Sequence, residues 1–133
     1  MENVKHLENI VEDSFGLWIT GLFSAIRGWN PNLSFDEQKE SFFWICEKLL
    51  LDGKVKFLKP DVDCYVSPGN PKPKFTVEDP DMHWEKDPKD IIVYLRDKWP
   101  GQASDESDPE MLNYFYNLPA IVWINEGGSL VTS

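Results

Sequence analysis

Residues 34–57 read SFDEQKESFFWICEKLLLDGKVKF, and the fold is decided there. Ser34 followed three residues later by Glu37 is a capping-box pair. In such a pair the Ser hydroxyl and the Glu carboxylate each accept from a backbone N–H that the first helical turn leaves without a partner. A helix therefore starts near Phe35. Phe42, Phe43, Ile45, Cys46, Leu49 and Leu50 follow at the three-and-four spacing that lays a wide apolar face along it. Gly53 supplies the C-terminal stop, because glycine reaches positive φ without a Cβ clash. Directly after it, Lys54-Val55-Lys56-Phe57 alternates with period two, so one face of a short strand covers the core while the lysines stay in water.

Working upstream, Val4, Leu7, Ile10, Val11, Phe15, Trp18, Ile19, Leu22, Phe23 and Ile26 keep helical spacing across residues 3–29 and predict one long helix. Gly16 and Gly21 lie inside it, each costing about 1 kcal/mol relative to Ala, so the helix bends there or another segment packs closely on it. Gly28 and then Asn30-Pro31 end it. Downstream, residues 60–80 hold five of the ten prolines and Gly69, and read as a long irregular loop with a brief strand at Phe75-Thr76-Val77. Asp87-Pro88 and Asp108-Pro109 repeat one device, an Asp N-cap before a Pro at the first helical position. They predict helices over 88–99 and 109–118, joined by the polar connector PGQASDES. Ile121 to Ile124 is β-branched and aromatic, Asn125-Glu126-Gly127-Gly128 makes a tight turn, and Ser129-Leu130-Val131-Thr132 returns as a strand. The expectation is a single α+β domain over 1–133, with about four helices packed on a small antiparallel sheet that ends in a C-terminal β-hairpin.

A chain of 133 residues with 41% hydrophobic residues, six Trp and eight Phe has enough apolar material for one core. Its 23 acids against 13 bases give a net charge of −10, which repels phosphate backbones and argues against nucleic-acid binding; a charged partner should be basic. Cys46 and Cys64 have no CxxC spacing, and the acidic N-terminus MENVKHLENIVEDS lacks the basic start of a secretory signal, so a reducing cytoplasm is expected. The longest apolar stretch, residues 15–26, falls short of the roughly 20 residues needed to cross a bilayer, and no membrane span is expected.

The acid excess is concentrated. Residues 76–110 hold eleven acids and four bases. Glu78, Asp79, Asp81, Glu85, Asp87 and Asp90 surround Trp84, and Asp105, Glu106, Asp108 and Glu110 follow. An acidic surface with an aromatic anchor steers a basic protein partner and then holds it through desolvated contacts. The plainer alternative is a solvated face that keeps a small protein soluble, with Asp87 and Asp108 only capping helices. Asp81-x-His83-x-Glu85 has donor types that zinc or manganese accept, but the one other histidine is His6, far away in sequence. Neither cysteine has a histidine in triad order, and Gly127-Gly128 has no helix after it to cradle phosphate. Trp18, Trp44 and Trp123 fall in strongly patterned segments and are assigned to the core or its rim, while Trp29, Trp84 and Trp99 fall at element ends or in loops.

Two stretches carry a family resemblance: FFWICEKLLLDGKVKF over 42–57 and LPAIVWINEGGSLV over 118–131. A helix ending in Leu-Leu-x-Asp-Gly-Lys before a strand, together with a P-x-I-V-W-I hairpin, resembles small acidic bacterial proteins encoded beside polymorphic toxins, the immunity proteins that include those of contact-dependent growth inhibition systems. The resemblance implies a cytoplasmic protein that binds and neutralises one cognate toxin C-terminal domain. Many such toxins are nucleases with active sites made basic to hold phosphate, a field that an acidic inhibitor can occupy. The partner-binding candidates are then Glu78, Asp79, Asp81, Trp84, Glu85, Asp105, Glu106 and Asp108, with no catalytic residue, no metal and no cofactor. The protein would act as a monomer, or as a homodimer if helix one keeps an apolar face that the small sheet cannot cover. A small adaptor or chaperone-like protein, and a metal-dependent hydrolase, are the alternatives. Partner promiscuity would mark the first and a stoichiometric metal the second.

Overall fold

The computed structural model describes residues 4–60 and 80–131. Five α-helices and a three-stranded antiparallel sheet make an α+β fold: α1 (Leu7–Ser14), α2 (Ile19–Trp29), α3 (Phe35–Leu51), β1 (Val55–Phe57), α4 (Pro88–Asp97), α5 (Pro109–Asn117), β2 (Ile121–Ile124) and β3 (Leu130–Val131). Cys64 and the strand expected at Phe75-Thr76-Val77 lie outside the described residues.

The long helix α3 forms as its sequence dictates. Ser34 Oγ accepts from the Glu37 N–H at 3.1 Å, and Glu37 Oε1 accepts from the Ser34 N–H at 3.0 Å. At the other end Gly53 sits at φ 69°, where the Lys54 N–H reaches Leu49 C=O at 2.9 Å and the Gly53 N–H reaches Leu50 C=O at 3.2 Å. Those two bonds satisfy carbonyls that the last turn would otherwise strand, and they turn the chain straight into β1. α3 packs on α2 and α4 and touches β1.

The single helix expected over residues 3–29 is instead two helices, α1 and α2, folded against each other. A continuous helix of that length would run about 40 Å, longer than so small a domain can cover. The break comes at Gly16, at φ 79°, where a Cβ would meet Val131 Cγ1 at 3.3 Å. Close approach and positive φ both call for glycine there. Phe15 stacks on Trp123 with ring centroids 5.7 Å apart, and the Trp123 indole N–H donates to Leu17 C=O at 3.0 Å, so β2 and β3 hold the corner. Asn30 does more than stop α2. Its buried amide accepts from the Lys5 N–H at 2.8 Å and donates to the Lys5 C=O at 2.9 Å, clasping the chain ahead of α1.

The sheet order is β1-β2-β3, with Lys56 opposite Val122 and Ile124 opposite Leu130. The expected hairpin is therefore present, and the downstream strand β2 occupies the middle. Phe23 meets Phe35, Phe42, Trp99 and Phe115 at centroid distances of 5.2–6.2 Å, joining α2, α3, α5 and the end of α4 in one aromatic cluster. Tyr114 donates to Leu95 C=O at 2.6 Å, and burial holds its hydroxyl protonated far above the ordinary range. Cys46 is buried on α3 as expected, and burial pushes its thiol up, which leaves it inert.

Candidate protein-binding surface

The first group of acidic candidates lies along the free edge of β1. A 3-10 turn, Pro80–Met82, leads into a short extended run in which His83 bridges Leu58. Lys59 N–H donates to Met82 C=O and Trp84 N–H to Phe57 C=O, both at 2.8 Å, so this segment covers an edge that would otherwise expose unpaired backbone groups. Asp81 and Glu85 are exposed, and Glu85 reaches Lys56 Nζ at 3.7 Å. Trp84 is half-buried and stands edge-to-face on Tyr94 at 5.0 Å. Asp87 accepts from the Lys89 N–H at 2.9 Å and caps α4, while Asp90 remains exposed on its first turn.

Asp81, His83 and Glu85 do not converge as the alternating motif suggested. The extended run is bounded by the 3-10 turn and by a Lys86 N–H to Trp84 C=O bond at 3.0 Å, so the two-residue period is lost and His83 is buried while both carboxylates face water. Among the described residues no group of three His, Cys, Asp or Glu side chains is placed to hold one metal ion.

The second group, in the α4–α5 connector, has a different character. Glu106 Oε2 accepts from Ser24 Oγ at 2.7 Å, and its Oε1 lies 3.3 Å from Gln38 Nε2 and 3.7 Å from Arg27 Nε. Gln38 is buried; it also donates to Phe23 C=O at 3.0 Å and accepts from Arg27 Nη2 at 2.9 Å. Arg27 in turn donates to Leu33 C=O at 3.3 Å. This network fastens the connector to α2 and α3, and Glu106 is spent inside it. Asp108 stands at the N-cap position of α5, yet its carboxylate turns back to accept from the Ser104 N–H at 2.9 Å and the Asp105 N–H at 3.3 Å. Asp105 is exposed, and the Ser107 hydroxyl beside it holds its carboxyl below the usual range.

The six candidates among the described residues thus do not form one patch. Asp81, Trp84 and Glu85 precede the N-terminus of α4, whereas Asp105, Glu106 and Asp108 lie beyond its C-terminus, Glu106 against α2 and α3, with a helix about 15 Å long between the two groups. Glu78 and Asp79 lie outside the described residues.

Part of the apolar surface of the expected first helix is exposed, at the corner between α1 and α2. Trp18, assigned to the core or its rim, is 54% exposed at the N-cap of α2, beside Leu17 at 45% and Phe15 at 39%. Trp99, by contrast, packs against Phe35, Phe43 and Tyr114 within the aromatic cluster. The sequence signal was an apolar residue standing where a helix start favours Ser, Thr, Asp or Asn.

Neither a family model nor a curated protein matches the sequence. Among solved structures, the fold is similar to that of an uncharacterized protein conserved in bacteria, from Neisseria meningitidis, with a TM-score of 0.62 over 93% of this chain and 84% of that chain at 23% sequence identity. The likeness concerns the fold alone. Among the described residues no helix is long and apolar enough to cross a membrane.

Proposed function

We propose that this protein is a cytoplasmic immunity protein: a non-enzymatic inhibitor, without a cofactor, that binds and neutralises a cognate toxin domain with a basic surface. The observation that carries this reading is the segment over 81–90, where exposed Asp81, Glu85, Asp87 and Asp90 flank in sequence a half-buried Trp84 whose ring packs on Tyr94. A rigid aromatic anchor costs little side-chain entropy on binding, and surrounding carboxylates raise the encounter rate with a basic partner. Asp81, Trp84, Glu85 and Asp105 are the contact residues; Glu106 and Asp108 act mainly by shaping the connector.

The test is direct. The protein is mixed with a candidate toxin domain, the C-terminal domain of any large secreted protein found encoded beside its gene, and binding is followed by titration calorimetry together with rescue of cells that express that domain. A one-to-one complex and rescue are expected. Failure of that domain to bind would overturn the reading. The exposed turn at Phe15, Leu17 and Trp18 is the observation that favours an adaptor instead; an adaptor would bind several unrelated proteins through it, whereas an immunity protein is nearly monogamous.

A further inference from the structure

A groove of about 350 Å³ runs between α1, the second half of α3 and the entry to β1. Leu7 and Val11 on α1 and Ile45 and Leu49 on α3 line it from its two sides. α1 packs on α2, and beside α3 the half-buried Leu7 and Val11 still offer apolar surface, whereas Ile45 and Leu49 are already closed off from water. An inserted apolar side chain would cover what Leu7 and Val11 leave open. The volume lies at the small end of ligand clefts, which run from roughly 300 to 1,000 Å³, and suits one large side chain with its neighbour rather than a whole helix.

The charges around the rim select the occupant. Lys48 and Asp52 pair with each other at 3.3 Å, one helical turn apart, and largely cancel. Glu8 and Glu12 also lie one turn apart on α1, but neither has an ion-pair partner among the described residues. Like charges at that spacing destabilise a helix, and a cation set between them relieves the repulsion. Lys54 stands at the β1 end of the groove. An apolar floor with two uncompensated carboxylates along one wall therefore complements a cationic amphipathic segment.

We infer that the groove takes a basic segment of a protein partner, with a large apolar side chain against Leu7 and Val11 and an adjacent Lys or Arg bridging Glu8 and Glu12. The inference rests on the proposed function for the partner's identity, the toxin domain, and adds to it a contact region that shares no residue with the segment around Trp84.

Two arms test it. In the first, the ¹⁵N-labelled protein is titrated with the blocked peptide Lys-Leu-Phe-Lys and with its acidic counterpart Glu-Leu-Phe-Glu. Shift changes confined to the amides of α1 and the second half of α3 are expected for the basic peptide, weakened about tenfold in the E8Q/E12Q variant. Changes scattered elsewhere, or equal binding of the acidic peptide, would overturn the inference. In the second arm, E8Q/E12Q is titrated with the toxin domain, and a loss of roughly tenfold at low salt is expected. Unchanged affinity in a complex that does form refutes the groove and leaves the proposed function standing. Absence of any complex, with the basic peptide still seated in the groove, refutes the proposed function and leaves the groove. Should the double variant lose its helical circular dichroism, E12Q alone serves in both arms.

Discussion

At the scale of single residues, two side-chain sites show how differently a local and a distant cause read. Gly16 is required both by its φ of 79° and by Val131 Cγ1 lying 3.3 Å from where a Cβ would stand. Gly16→Ala should therefore cost about 1–2 kcal/mol in urea unfolding, the penalty of a left-handed conformation for a residue with a Cβ. Glu106 looked like one more surface acid in the sequence, yet its partners Ser24 and Gln38 stand 82 and 68 residues away. Glu106→Ala leaves the buried Gln38 Nε2 with Phe23 C=O as its remaining acceptor and hands the exposed Ser24 Oγ to water, and should lower stability by about 1 kcal/mol. Affinity for the toxin domain should stay unchanged in that variant, and a large loss of affinity with intact stability would return Glu106 to the interface.

At the scale of elements, local chemistry was legible and long-range choices were not. The capping box of α3, the Gly53 stop, the Asp-Pro starts of α4 and α5 and the β2–β3 hairpin all rest on contacts within a few residues, and each stands within two residues of its expected place. The split between α1 and α2 rests on Trp123 and Val131, more than a hundred positions away, which periodicity cannot register. Trp18 caps α2 with no side-chain hydrogen bond, so Trp18→Ser should raise stability by about 0.5–1 kcal/mol through a new cap, read as a higher denaturant midpoint. A second element-scale device joins α3 to α4: Arg96 holds Glu40 through two bonds of 2.7 and 2.9 Å and lies 4.5 Å over the Phe43 ring. The hydrogen bond from Arg96 keeps the Glu40 carboxyl below its ordinary value of 4.5. A depressed folded value means stabilisation that is full above pH 4.5 and disappears as pH falls through the folded value. Both side chains are over 40% exposed, so solvent screening holds the contribution under about 1 kcal/mol. Glu40→Gln should accordingly lower the urea midpoint at pH 7, and its difference from the unsubstituted protein should shrink as pH falls below 4.5.

At the scale of the whole molecule, net charge and its placement govern how the protein meets a partner. The exposed acids over 81–90 predict a salt-sensitive association: D81K/E85K should slow toxin-domain binding about tenfold or more at low ionic strength, with the two rates converging near 1 M salt. Stopped-flow association across a salt series measures this, and an equal rate at low salt would move the steering surface away from the segment around Trp84. The α+β class was legible from the sequence, whereas the split of the acidic residues into two groups was not, because α4 had first to be placed between them. One further consequence follows from β2 lying between β1 and β3. On the ribosome, Val55 and Phe57 emerge about sixty residues before the strand that pairs with them, an interval of several seconds at roughly 5–20 residues per second. During that time α3 can form, but the nascent chain presents β1 with no partner on that side, so the sheet is assembled late in synthesis and a ribosome stalled within α5 would carry a sheetless intermediate for the cell's chaperones to hold.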